Sequence, residues 1–91
     1  MLEKPRAEIN QIDAEILKLL ERRYACVDEV VRIKQENDLP TLDVSREVEV
    51  IARLGELAEQ EAYKEAILET FQSMMDISRA YQEKKKTTTL S

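Results

Sequence analysis

Arg23 and Ser78 are polar residues at positions where helical spacing calls for apolar ones. From Ile9 the chain sets Ile12, Ile16 and Leu19, then Cys26, Val30 and Ile33, at intervals of three and four, and the position that keeps the spacing is Arg23. Such a repeat is the seam of a packed helix. A guanidinium keeps its proton, so Arg23 brings a permanent charge into that seam, and an unpaired charge buried there costs several kcal/mol. An anion must meet it, either a protein carboxylate or a ligand. Lys34 lies eleven residues on. At ~100° per residue that returns it to within about 20° of Arg23, roughly 16 Å further along the axis. Gln82 follows Ser78 by four residues and shares its face. Arg6, seventeen residues before Arg23, falls about 100° round the same helix. If it serves the same site, a two-fold partner must bring it there. Asp43-Val44-Ser45-Arg46-Glu47 adds one cation and two carboxylates. The chemistry open to such residues is the clamping of an anionic molecule by charge-assisted hydrogen bonds.

Each of these residues has a plainer reading. Arg23 could be one half of a structural salt bridge. Ser78 could bond back to a helix carbonyl. Lys34, Arg46 and Glu47 could be solvated surface charges, and an ion pair among them would be worth under ~1 kcal/mol.

The elements that must position these groups are helices. Helix 1 is expected from about Leu2 to Asn37, with Pro5 in its first turn, where the missing N–H is no loss. At ~1.5 Å per residue it would be roughly 50 Å long, more than a small globule spans, so it must pack along another long helix. A second copy of the chain is the natural supplier. Leu39 precedes Pro40 and is pushed out of helical geometry, which makes Asn37 to Leu42 a loop. Asp43 or Ser45 then caps helix 2, with Val44, Val48, Ile51, Leu54 and Ala58 as its stripe. Gly55 is expected to serve close helix packing. A break is expected near Glu59 to Tyr63, and helix 3 follows with Ile67, Phe71, Met74, Ser78 and Tyr81 on its stripe. Residues 1–86 form one domain in this reading, and 87–91 a polar, disordered tail.

Composition agrees with an all-α fold of three helices. The 91 residues include one Gly, two Pro and no Trp, and 36% are charged. The net charge of −5, with no basic run before Lys84-Lys85-Lys86, argues against nucleic acid. No segment has signal-peptide or transmembrane character, so no membrane role is expected. A single cysteine suits the cytoplasm, and Cys26, on the stripe, reads as a small buried hydrophobe rather than a nucleophile. With no His, a His-based triad and the usual His metal sites are excluded. Neither metal nor cofactor is expected.

Four motifs in order resemble the all-helical chorismate mutase family over nearly the whole chain. They are Arg6 with Ile9-Asn10-Gln11-Ile12-Asp13, and Leu19-Leu20-Glu21-Arg22-Arg23 with Val30 and Ile33-Lys34. Next come Asp43-Val44-Ser45-Arg46-Glu47, then Phe71 with Met74-Met75 and Ser78-Arg79-Ala80-Tyr81-Gln82. The resemblance implies an intertwined homodimer that converts chorismate to prephenate. Arg23, and Arg6 from the partner, would hold the two carboxylates. Lys34 would meet the ether oxygen and a carboxylate, and Gln82 the ether oxygen from the other side. Glu47 and Asp43 would serve the ring hydroxyl, Ser78 a carboxylate, and Arg46 the electrostatics of the site. The other readings are an isochorismate-pyruvate lyase on the same fold and a non-catalytic dimerisation module in which Arg23 pairs with Glu47 or another carboxylate.

Overall fold

The computed structural model describes residues 1–90, with side chains through Lys86. Its elements are α1 (Glu3–Glu36), α2 (Val44–Leu57) and α3 (Glu61–Leu90), and no strand occurs among the described residues. The tail expected to be disordered lies at 87–91, outside the described side chains.

Local chemistry sets the boundaries. Pro5 sits in the first turn of α1, and the chain continues without a breaker to Glu36. Asn37 closes the helix by donating both its N–H (3.1 Å) and its Nδ2 (2.9 Å) to the Ile33 carbonyl. Asp38 then takes φ 56°, a left-handed conformation that Asp tolerates better than most residues, and Pro40 prevents any return to helix. Asp43 caps α2 by accepting the Arg46 N–H at 3.1 Å, and Ser45 Oγ donates to the same carboxylate oxygen. A three-residue break, 58–60, separates α2 from α3.

Helix α3 packs against both α1 and α2, which do not pack on each other. The intrachain core is small: Val27 and Val31 of α1, Val50 of α2 and Met75 of α3. Val31 is the most buried of them, and removing such a side chain from water contributes roughly 1.5–3 kcal/mol. Tyr81 ties α3 to α1 twice, edge-on against the Tyr24 ring at 5.0 Å and by donating its hydroxyl to Asp28. That hydrogen bond holds the Tyr81 hydroxyl's pKa above its ordinary value.

Two sequence expectations need correction, the burial of Cys26 and the close-packing role of Gly55. The stripe from Ile9 to Ile33, assigned to a second copy of the chain, is not what α1 buries within its own chain. Ile9, Ile12, Ile16 and Leu19 are exposed, and α1 meets α3 through Val27 and Val31 on a neighbouring face. Cys26 is exposed, not buried. Gly55 is not needed for a close approach, because an added Cβ would meet only Leu68 Cδ1 at 3.7 Å, ordinary contact. The α2 stripe is split, with Ile51, Leu54 and Ala58 half-buried. Val44 and Val48 stand exposed, and Val50 faces the core instead. Among the described residues no helix is long and apolar enough to cross a membrane.

Candidate active site

A cavity of about 280 Å³ opens where the C-terminal half of α1, the α1–α2 loop, the start of α2 and the C-terminal half of α3 converge. Helix α1 supplies Arg23, Cys26, Val27, Val30 and Lys34, which follow one another at helical turns. The loop adds Thr41 and Asp43, and α2 adds Arg46, Glu47 and Val50. Helix α3 closes the wall with Met75, Ser78, Arg79 and Gln82. Seven of the eight residues singled out in the sequence line this one space: Arg23, Lys34, Asp43, Arg46, Glu47, Ser78 and Gln82. The eighth, Arg6, is exposed on the first turns of α1 and does not reach it.

Lys34 is the junction of the site. Its ammonium donates to the Thr41 carbonyl at 2.7 Å and to Gln82 Oε1 at 3.3 Å. Burial holds its pKa below the ordinary lysine value, helped by the positive charge of Lys86 and opposed by Asp43 and Glu47. Gln82 passes the contact on, donating from Nε2 to Ser78 Oγ at 3.3 Å. Ser78 is 4% exposed, and its hydroxyl accepts this side-chain bond. The Asp43 carboxylate is held below its ordinary pKa, first by the Arg46 N–H and then by the Ser45 hydroxyl.

Glu47 is gripped by a guanidinium that is not Arg23. Arg79 Nε reaches Glu47 Oε2 at 3.2 Å, and Nη2 reaches Oε1 at 3.3 Å, a two-pronged fork across the α2–α3 contact. Arg46 pairs with Glu49 at 3.1 Å, near the cavity rim. Arg23 is half-buried, and no hydrogen bond or ion pair meets it among the described residues.

Arg79 and Thr41 are the residues the sequence reading passed over. Arg79 had a signal: it stands four residues after Met75 and three before Gln82, so it shares their face. Thr41 had none, because no periodicity reports on a loop. Its side chain is buried, and its hydroxyl has no partner among the described residues.

The arrangement can bind a small molecule with more than one negative group and place an ammonium and an amide against a single polar atom of it. It contains no His, and no group of residues suited to a metal ion occurs among the described residues. A helical, cation-lined site of this kind defines a class that works by holding charge in place. The chain belongs to the chorismate mutase type II family, whose sequence model matches residues 5–83, a span that includes Arg6 and all seven cavity residues. It is similar to the chorismate mutase of Methanocaldococcus jannaschii, 31% identical over 78 residues, which cover 85% of this chain and 79% of that protein. No solved structure matches. The activity that goes with membership is an isomerisation, that of a chorismate mutase in aromatic amino acid biosynthesis.

Proposed function

We propose that the cavity takes up chorismate, folds its enolpyruvyl arm over the ring and releases prephenate, with the residues acting as follows. The reaction is unimolecular. The C–O bond of the ether breaks as the new C–C bond forms, and negative charge builds on the ether oxygen. No nucleophile, redox partner or proton transfer is required. Arg23 receives one carboxylate, and Arg6 of the partner copy the other, each through paired charge-assisted hydrogen bonds. Clamping both ends supplies the near-attack geometry. Lys34 and Gln82, already in contact at 3.3 Å, address the ether oxygen together, and their preorganisation favours the charge that develops there. Glu47 and Asp43 serve the ring hydroxyl, Ser78 assists a carboxylate, and Arg46 adds positive potential at the rim.

The observation that carries this reading is Arg23. It stands in a cavity with Lys34 and Gln82, and no protein anion pairs with it among the described residues. The dimerisation-module reading paired Arg23 with Glu47, but Glu47 is held by Arg79. Even a modest enzyme must lower its barrier by at least ~8 kcal/mol, and one charge-assisted hydrogen bond contributes no more than ~3. Several together can reach it.

A homodimer is part of the proposal. The α1 stripe Ile9, Ile12, Ile16 and Leu19 and the α2 residues Val44 and Val48 are uncovered in the single chain. A stripe so regular on a helix of 34 residues needs an apolar partner. The proposed dimer lays α1 of one copy along the other, which also carries Arg6 toward the second cavity. The cytoplasm is the proposed compartment.

The test is direct. Purified protein is mixed with chorismate, the loss of absorbance is followed and the product is identified. Prephenate is expected. A folded dimer without turnover would sink the proposal, and release of pyruvate from isochorismate would favour the lyase.

A further inference from the structure

Arg79 has no place in the roles above, yet it lines the cavity and makes two hydrogen bonds to Glu47 there. Its guanidinium is itself braced, since Nη2 also donates to Asp76 Oδ1 at 2.8 Å, one turn back along α3. The side chains of Arg79 and Glu47 are 33% and 21% exposed, so the pair is partly shielded from solvent. We infer that Arg79 is a positioning residue for Glu47: its fork fixes the plane of the carboxylate before substrate arrives. The inference rests on the reading in which Glu47 accepts the ring hydroxyl.

The physical reason is twofold. A free glutamate has three side-chain torsions to immobilise on binding, and ordering them in advance lowers the cost of association. An ionised carboxylate also has about four acceptor positions. The fork occupies one on each oxygen and leaves the others for a donor on the substrate. Asp76 completes the device by holding the same guanidinium from one turn back on α3. The ring hydroxyl neither gains nor loses a bond in the rearrangement, so its contact is alike in ground and transition states, and losing the alignment should appear in KM more than in kcat.

The test uses Arg79→Gln, Arg79→Lys, Glu47→Gln and the Arg79→Gln/Glu47→Gln double variant, each confirmed folded by circular dichroism. They are assayed with chorismate and with the chorismate analogue that lacks the ring hydroxyl. Arg79→Gln is expected to raise KM for chorismate about tenfold, with kcat changed less, a size ordinary for a misplaced binding group. Arg79→Lys, which keeps the charge but not the fork, should recover part of that loss. The double variant should be no worse than Glu47→Gln alone, and the Arg79→Gln penalty should vanish with the analogue. Additive effects of the two single substitutions would overturn the inference whatever Glu47 touches. So would an Arg79→Gln penalty equal on both substrates where the Glu47→Gln penalty disappears with the analogue. A Glu47→Gln penalty equal on both substrates, with the coupling to Arg79 intact, would fault the ring-hydroxyl role of Glu47 and leave Arg79 as its positioning residue.

Discussion

Lys34 Nζ lies 3.3 Å from Gln82 Oε1, so two residues 48 apart in the chain converge on one point of the cavity. The amide is thereby oriented, with its oxygen turned to the ammonium and its nitrogen to Ser78 Oγ. An unprotonatable amide beside a cation keeps its donor over the whole physiological range.

Gln82→Glu should make activity depend on acid. A glutamate must be protonated to donate to the ether oxygen. The Lys34 ammonium beside it favours the ionised form and lowers its pKa, so protonation needs a pH at or below the ordinary ~4.3 of glutamate. The value of kcat/KM for the variant is expected to rise steadily from pH 7.5 to pH 5. A flat profile would remove Gln82 from the role proposed for it.

Lys34 should give the native enzyme an alkaline limb. Its pKa is lowered in the fold, so between the folded and unfolded values the unfolded chain binds more protons, and stability rises with pH through that window. Activity runs the other way, because the ammonium is lost over the same window. Lys86→Gln removes one repelling charge and should move the limb upward, though not fully, since burial is the larger cause. Rate and melting temperature measured across pH 8 to 11 check both signs.

Arg23→Ala should separate catalysis from folding. With no protein anion to abandon among the described residues, the variant is expected to keep its helical signal and its melting temperature within a few degrees. Its kcat/KM should fall by at least about a hundredfold, the scale of losing a charged, paired contact to a carboxylate. A variant that unfolds would return Arg23 to a structural role.

The sharing of Arg6 is open to a mixing test. Arg6→Ala and Arg23→Ala proteins, each inactive, are unfolded together and refolded. If the site takes Arg6 from its partner, each mixed dimer holds one intact site, and about a quarter of the native activity returns. If Arg6 serves its own chain, nothing returns.

Gly55→Ala is expected to stabilise the protein by roughly 0.5–1 kcal/mol, the helix-propensity gain, since the new methyl finds only ordinary contact with Leu68. Thermal melting checks it, and a lower melting temperature would show a tighter environment than that contact implies.

Much of this was legible in the residues. The ends of α1 and the loop after it were readable from Pro5 and Pro40, and the cap of α2 was narrowed to Asp43 or Ser45, because those signals are local. The shared outlook of Arg23 and Lys34 was readable from helical angle alone. What a stripe faces was not. Spacing identifies Ile9 to Ile33 as apolar, but Val27 and Val31 are what the chain buries against itself, a choice made by where α3 arrives. The Arg79–Glu47 fork was hidden for the same reason, since it joins helices whose relative placement no periodicity encodes.

The uncovered stripe on α1 finally bears on how such a catalyst behaves on dilution. The rearrangement is first order in a single molecule of substrate, but in the proposed dimer the catalyst is assembled in a second-order step. Below its dissociation constant, turnover should scale with the square of total protein. The expression level in a cell would then set how much enzyme exists as well as how fast it works.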